Sequence, residues 1–360
     1  MSDLERMVKW GILGVGDVCE VKSGPGFQKA EGSRLVAVMR RTEGGAQDFA
    51  ARHGTTDAPI CAYMDADALL ADKNVDAVYV ASPPGAHLEL ALKVCAAGKP
   101  CLVEKPLART AEESRIIADA FAAAGVPLFV SYYRRGQPRF LRAKDLIANG
   151  AIGTLTDITY RQSRSDHVNA EPGTLAAVAP GEPLPWRLEP EQSGGGLIMD
   201  VGCHALDAID YIAGDLAEAQ GNAWRRGPFP PMGRCEDVVH LTATCGPAKI
   251  PMTATWNFAA NGQSEEMLVL SGTRGVLRFS CFGNEPMVLE DISGRREEFS
   301  FDPIPHVAQP FIQMVTDELR GIKGCKAPSN AENAIRVAEA LDAALLGFYS
   351  DRSHGFWTRL

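Results

Sequence analysis

Asp200 and His204 stand four residues apart in the run Gly194-Gly195-Gly196-Leu197-Ile198-Met199-Asp200-Val201-Gly202-Cys203-His204-Ala205-Leu206-Asp207. On a helix that spacing puts both side chains on one face. A carboxylate neighbour holds an imidazole basic and oriented, which is what general acid–base chemistry needs. The spacing is also compatible with a metal pair, yet no further ligands are evident and no metal is expected. Lys105 lies in Glu104-Lys105-Pro106, directly after a short apolar run. An X–Pro bond at a strand end is a candidate cis peptide, and Lys105 would then point at a ligand crevice.

A third group could bind a nucleotide. In Gly11-Ile12-Leu13-Gly14-Val15-Gly16-Asp17-Val18-Cys19, Gly14 permits a tight turn and Gly16 lets the backbone approach a pyrophosphate. Asp17 and Val18 would open the following helix beside that ligand. The third position of the G-x-G-x-x-G pattern is Cys19. A thiol is small enough for close helix–strand packing, so Cys19→Gly is expected to be tolerated. The motif follows the first strand and begins a βαβ unit, the context it requires. The second strand ends in Arg40-Arg41-Thr42, where an NAD enzyme usually carries Asp or Glu. Guanidinium groups suit a phosphate, so NADP is expected ahead of NAD. Ser82-Pro83-Pro84-Gly85-Ala86-His87 follows a third strand, its prolines stiffening a loop that could cover the nicotinamide ribose. Ser82, Pro83, Glu104 and Lys105 are expected cofactor contacts, and His87 a cofactor contact at most.

These residues need a scaffold. Apolar runs at Val8–Leu13, Arg34–Met39, Ala77–Ala81, Cys101–Glu104 and Leu128–Ser131 read as strands. Helical segments at Gly45–Arg52, His87–Ala97 and Ala111–Ala124 alternate with them. That alternation predicts a doubly wound parallel sheet with helices on both faces. After Tyr132 the texture changes. A helix over Gln137–Asn149 and an alternating strand over Leu155–Arg161 precede a long loop at 169–192. The glycine run then opens a helix reaching Ala213. Strand-like runs at Val238–Thr244, Ile250–Phe258, Glu266–Ser271 and Val276–Ser280 predict a mostly antiparallel sheet, closed by helices at Pro310–Gly321 and Asn330–Ser350. The expected domains are 1–131, binding the nucleotide, and 132–360, binding substrate and other subunits.

Composition narrows the function classes. The chain has 360 residues, too many for one comfortable core. Its formal charge of −9 argues against nucleic-acid partners, which want a basic surface. No run of about 18 uncharged apolar residues exists, so no membrane span is expected. The polar stretch from Met1 to Lys9 lacks a signal-peptide core. Nine cysteines are dispersed with no C-x-x-C pair, which reads as reduced thiols in a cytoplasm.

The glycine turn, the S-P-P-x-x-H loop, E-K-P and G-G-G-x-x-x-D-x-G-x-H-x-x-D occur in that order across nearly the whole chain. Tyr132-Tyr133-Arg134-Arg135, just past the last parallel strand, also looks like a family connector. Together they resemble the Gfo/Idh/MocA family, the relatives of glucose-fructose oxidoreductase and inositol dehydrogenase. The resemblance implies a Rossmann domain and an α/β domain with a large open antiparallel sheet. It implies a homodimer or homotetramer through that sheet. It also implies that Lys105, Asp200 and His204 are the catalytic lysine, aspartate and histidine. Cys19 and Arg40 depart from the common pattern, the latter putting NAD preference in doubt.

The expected reaction moves a hydride between nicotinamide and a secondary alcohol or ketone of a sugar, polyol or inositol-like compound. His204 would take the hydroxyl proton, Lys105 would stabilise the alkoxide, and Asp200 would orient His204 or bind a neighbouring hydroxyl. Trp186, Arg187 and the stretch from Arg161 to His167 would shape the sugar site. A redox-assisted glycosidase that retains its cofactor, and a non-catalytic dinucleotide sensor, are the competing readings.

Overall fold

The computed structural model describes residues 6–164, 185–226, 234–260, 264–350 and 352. Contacts divide the chain into two compact units, neither of them a single stretch. One comprises Met1–Ala108, Glu113–Gln137 and Ile304–Ala334. The other comprises Arg109–Glu112, Pro138–Pro303 and Ile335–Leu360. The sequence expectation cut the chain once, after residue 131.

The first unit is built on six parallel strands: β1 (Val8–Leu13), β2 (Ser33–Met39), β3 (Cys61–Tyr63), β4 (Ala77–Val80), β5 (Cys101–Val103) and β6 (Leu128–Val130). Their order is β3-β2-β1-β4-β5-β6, the dinucleotide-binding order that was expected. Strands β1 and β4 are almost wholly buried, as strands covered by helices on both faces must be. Connecting helices are α1 (Asp17–Val21), α2 (Gly24–Lys29), α3 (Gly45–His53), α4 (Ala66–Ala71), α5 (His87–Ala96) and α6 (Ala111–Ala124). The core stacks Phe27 between Trp10 and Tyr79, with ring centroids 4.9 and 5.1 Å apart. Helix Gln309–Arg320 completes that core: Phe311, Ile312 and Val315 join the same buried cluster. Gly26 allows the approach, since a Cβ there would lie 2.8 Å from Ile312 Cδ1.

The second unit carries an eight-stranded sheet formed by β7 (Leu155–Ser163), β8 (Leu216–Trp224), β9 (Val238–Cys245), β10 (Ile250–Asn257), β11 (Glu265–Gly272), β12 (Gly275–Phe279), β13 (Met287–Asp291) and β14 (Arg296–Phe299). The order is β14-β13-β12-β11-β7-β10-β9-β8. Only β7 and β10 pair in parallel, so the sheet is mainly antiparallel, as expected. Strands β7, β9 and β10 alternate in burial because one face is covered and the other is open. Beneath the covered face lie α7 (Pro138–Ala148), whose Phe140 meets Phe279 of β12, and α9 (Cys203–Ala213), which packs on β9; a short α8 (Pro190–Ser193) precedes α9 in the chain. The helix Ala331–Tyr349 runs alongside, its Ala344 Cα 3.0 Å from where a Cβ on Gly221 would stand. Arg336 on that helix clamps Asp210 of α9 with bonds of 2.7 and 2.9 Å. Among the described residues no helix is long and apolar enough to cross a membrane, and no cluster of metal-ligand residues occurs.

Candidate active site

Parallel strands deliver their carboxyl ends to one edge of a sheet, and the order reverses between β1 and β4. Ligands of such sheets bind at that switch. Gly14 and Gly16 follow β1, Arg40 and Arg41 follow β2, Ser82 and Pro83 follow β4, and Glu104 and Lys105 follow β5. The predicted cofactor residues are therefore gathered at one edge. Gly14 adopts φ +95°, and a Cβ there would meet the Ser82 backbone nitrogen at 3.0 Å. Only glycine allows that combination of left-handed backbone and close approach. Gly16 has nothing within 4 Å of its would-be Cβ, so its backbone faces open space. Asp17 and Val18 begin α1 directly behind it. The Ser82 hydroxyl is buried without a hydrogen-bond partner among the described residues. Open space at Gly16 and the Ser82 hydroxyl, both after strands that meet at the switch between β1 and β4, fit a dinucleotide.

Two features secure this edge. Glu104 is buried; its carboxylate accepts the Tyr79 hydroxyl at Oε1 and the Lys105 backbone N–H at Oε2, 3.1 Å away. The Lys105–Pro106 peptide is cis, as its sequence position suggested. His87 is fully buried, with Nε2 2.7 Å from the Ser82 carbonyl and Nδ1 3.0 and 3.2 Å from the Pro106 and Leu107 carbonyls. Burial pulls its pKa down, against smaller upward pulls from those carbonyls. Backbone carbonyls flank both ring nitrogens, so His87 lies between the loop after β4 and the loop after β5. Arg40 and Arg41 are exposed and free of ion pairs among the described residues, and Arg40 lays its stem across Gly45. Cys19 is fully buried, which raises its thiol pKa to about 12.

In the second unit the predicted helix from Gly194 has a different start. Ile198–Gly202 forms a single π-helical turn before α9 begins at Cys203. Such turns are frequent at functional sites. Asp200 lies in the π turn and His204 in the first α turn, so the simple four-residue spacing of an α-helix does not describe the pair. Asp200 accepts from Arg187 Nε at 2.9 Å, and the Arg187 guanidinium lies 4.4 Å over the Trp186 ring. Trp186 and Arg187, expected near the sugar site, are thus tied to Asp200. His204 is buried and meets the ring of Phe282 edge-on at 6.2 Å.

The glycine run is explained by its neighbours. Gly194 takes φ +87°, and a Cβ there would lie 2.7 Å from the Arg109 carbonyl oxygen. A Cβ on Gly196 would lie 2.8 Å from Glu236 Oε1. Glu236 is fully buried, accepts the Gly196 N–H at 2.9 Å and the Tyr349 hydroxyl at 2.6 Å, and has its pKa raised by burial. Nothing local in the sequence marks Glu236, because its partners are 40 and 113 residues away. Arg161 does not belong to this site. Strand alternation turns its side chain to the open face of the sheet, and its neighbour Gln162 to the covered face. Ser165 to His167, and most of the predicted loop at 169–192, lie outside the described residues.

Residues 8–132 match the family described as an oxidoreductase family with an NAD-binding Rossmann fold, and residues 140–278 match the GFO/IDH/MocA C-terminal domain. The chain belongs to the Gfo/Idh/MocA oxidoreductase family. Among its Gfo/Idh/MocA relatives is oxidoreductase P35 of Formosa agariphila, 30% identical over 94% of this chain and 98% of that protein. Inositol 2-dehydrogenase 1 of Saccharopolyspora erythraea is 34% identical over 59% of this chain and 60% of its own length. The aldose-aldose oxidoreductase of Caulobacter crescentus, a solved structure, shares the fold with a TM-score of 0.76 at 20% identity, over 97% of this chain and 98% of that one.

Proposed function

We propose that this Gfo/Idh/MocA member is a nicotinamide-dependent dehydrogenase or reductase acting on a secondary alcohol or ketone of a sugar or polyol. The observation that carries this reading is the gathering at one sheet edge of open space at Gly16, of Gly14 against Ser82, whose hydroxyl has no partner among the described residues, and of Lys105. The relative named as an inositol dehydrogenase supports a polyhydroxylated substrate.

When bound, the nicotinamide cofactor supplies the hydride acceptor or donor. In the oxidative direction His204 takes the hydroxyl proton as the C–H bond breaks and a carbonyl forms. Lys105 stabilises the alkoxide with its ammonium group. Asp200, held by Arg187, binds a neighbouring hydroxyl or orients the imidazole. Positioned groups of this kind contribute roughly 10² to 10⁴-fold. Arg40 and Arg41 are cations without a carboxylate partner among the described residues, and they support NADP ahead of NAD.

The open sheet face exposes Trp224 and Met267, which supports a homodimer or homotetramer through that sheet. Nine cysteines, none of them in a disulfide, support a reducing, cytoplasmic setting. Lys105→Met and His204→Ala test the chemistry. Each is expected to lower kcat by a hundredfold or more while NADPH binding, followed by fluorescence titration, persists. Near-normal turnover in both variants would sink the assignment.

A further inference from the structure

Asp200 stands on a backbone that is fastened a few residues earlier. The buried run Gly194–Gly196 leads through Leu197 into the π turn Ile198–Gly202 that carries Asp200. Glycine backbone is the freest in a chain unless its neighbours hold it. Here groups distant in sequence hold it from two sides. Glu236 accepts the Gly196 N–H, and Tyr349, which ends the helix Ala331–Tyr349, donates its hydroxyl to the same carboxylate. Between them Gly195 is enclosed: a Cβ there would stand 3.0 Å from Met199 Cγ and 3.2 Å from Leu345 Cδ1. The turn that bears Arg187 is tied to the same run, since Cys235 Sγ lies 3.2 Å from the Leu188 carbonyl oxygen and 3.5 Å from that of Gly195.

The other hold is Arg352, 6% exposed and just beyond that helix. Its Nη2 donates to the Gly194 carbonyl at 2.5 Å and to the Arg109 carbonyl at 2.8 Å, and lies 3.8 Å from Met199 Sδ. One guanidinium thus bridges the place where left-handed Gly194 crosses Arg109. Its Nη1 donates to Asp342, whose other oxygen accepts the Ala111 N–H at 2.9 Å. Apolar side chains of similar volume often replace a buried ion pair without loss of stability. The Arg352 Nε also has no partner among the described residues. Stability alone therefore does not call for a cation here, and what the cation adds is a fixed backbone direction. The loop that sets Phe282 against His204 has separate supports. Glu266 accepts its Cys281 N–H at 3.1 Å, and buried Arg139 donates to the carbonyls of Ser280, Gly283 and Glu285 at 2.9, 2.5 and 2.8 Å.

We infer that Arg352 is a positioning residue of the active site: it bridges the Gly194 and Arg109 carbonyls and so fixes the π turn that presents Asp200 to the substrate. Arg187 holds the Asp200 carboxylate, and Arg352 holds the backbone that carries it. The inference rests on the reading that Asp200 serves the substrate.

The test uses the full chain with glucose, galactose, xylose and myo-inositol, each with NAD⁺ and NADP⁺. Arg352→Met keeps the side-chain length and removes the donors. Arg352→Gln, which keeps an amide donor, replaces it should Arg352→Met fail to fold. Initial rates are taken about 20 °C below the Tm of each variant and for the parent at the same temperatures, so that only folded protein is compared. For the compound that the parent uses fastest, kcat should fall about tenfold to a hundredfold, the usual penalty for a small misplacement. KM for the nicotinamide cofactor should stay within about twofold, because the nucleotide edge is not touched. Added to Asp200→Asn, the Arg352 change should lower kcat by no more than about a further twofold, since both act on one carboxylate. A parent-like kcat beside a lowered Tm would show a merely structural role and overturn the proposal, as would losses that multiply in the double variant. In either case a low kcat in Asp200→Asn leaves the reading of Asp200 standing. Parent-like turnover in Asp200→Asn, or a parent that turns over none of the four compounds, removes that reading and the inference with it.

Discussion

Arg187 Nε donates to Asp200 Oδ2 at 2.9 Å, and its guanidinium lies 4.4 Å over the Trp186 ring. A stacked, hydrogen-bonded guanidinium holds a carboxylate in one direction better than a lysine can. Arg187→Met should therefore lower kcat/KM by about tenfold or more, as loss of a charged hydrogen bond of about 1.5–3 kcal/mol implies. Because side chains at 29–33% exposure anchor the pair, Tm should move little. Arg187→Lys should recover only part of the loss. Steady-state kinetics against thermal melts would decide; a Tm collapse matching the activity loss would make the pair structural.

The exposed guanidinium groups after β2 bear on cofactor choice. Arg40→Ala combined with Arg41→Ala should raise KM for NADP⁺ by about tenfold or more, while KM for NAD⁺ stays within about twofold. The exposed surface they occupy makes unfolding an improbable cause. Equal effects on both cofactors would remove the NADP assignment.

Cys19 packs in the same buried cluster as Val15, Phe27 and Phe49. The expectation that glycine is tolerated there changes with this packing. Cys19→Gly empties buried volume and loosens α1, at an expected cost of about 2 kcal/mol. Cys19→Ala should cost about 1 kcal/mol, since it keeps the Cβ. Urea unfolding of the two variants measures the difference, and equal stabilities would refute it.

Glu20 links α1 to α3 through Arg52 and His53, at 2.6 and 2.8 Å. The Arg52 hydrogen bond is the main cause that lowers the Glu20 pKa from 4.5 to about 2. A carboxyl whose pKa is depressed on folding contributes stability that is present above the unfolded value and lost as pH falls through the folded one. Glu20→Gln should thus destabilise by under about 1 kcal/mol at pH 7, the pair being part-exposed. The gap between variant and parent should close from about pH 4.5 to about pH 2. Parallel melts across that range check the sign; a gap that widens in acid contradicts it.

The first unit was largely legible because its signals are local. A buried strand, a glycine turn and a proline after a lysine each show within ten residues. The second site was legible only in part. Asp200 and His204 stood out by type, but the π turn between them depends on Gly202, where a Cβ would come 2.2 Å from Ile198 Cδ1. Arg161 was singled out by charge, and a strand reverses side chains at every residue, so the inward position fell to Gln162. Glu236 and Arg139 act across 40 to 146 residues of sequence, and Glu266 across 14 to 16 in a loop, where periodicity carries no information. The short strands β3 and β14 are too brief for a pattern to appear.

The helix that completes the Trp10 core has a consequence for how the chain is made. Phe311, Ile312 and Val315 are synthesised almost two hundred residues after β6, the last strand of the sheet they cover. Until then the apolar surface around Trp10 and Phe27 lacks its cover. The nucleotide-binding half of the molecule is therefore finished only after the second sheet has been made. A nascent chain must hold that open face safe from aggregation while the whole second sheet is being made.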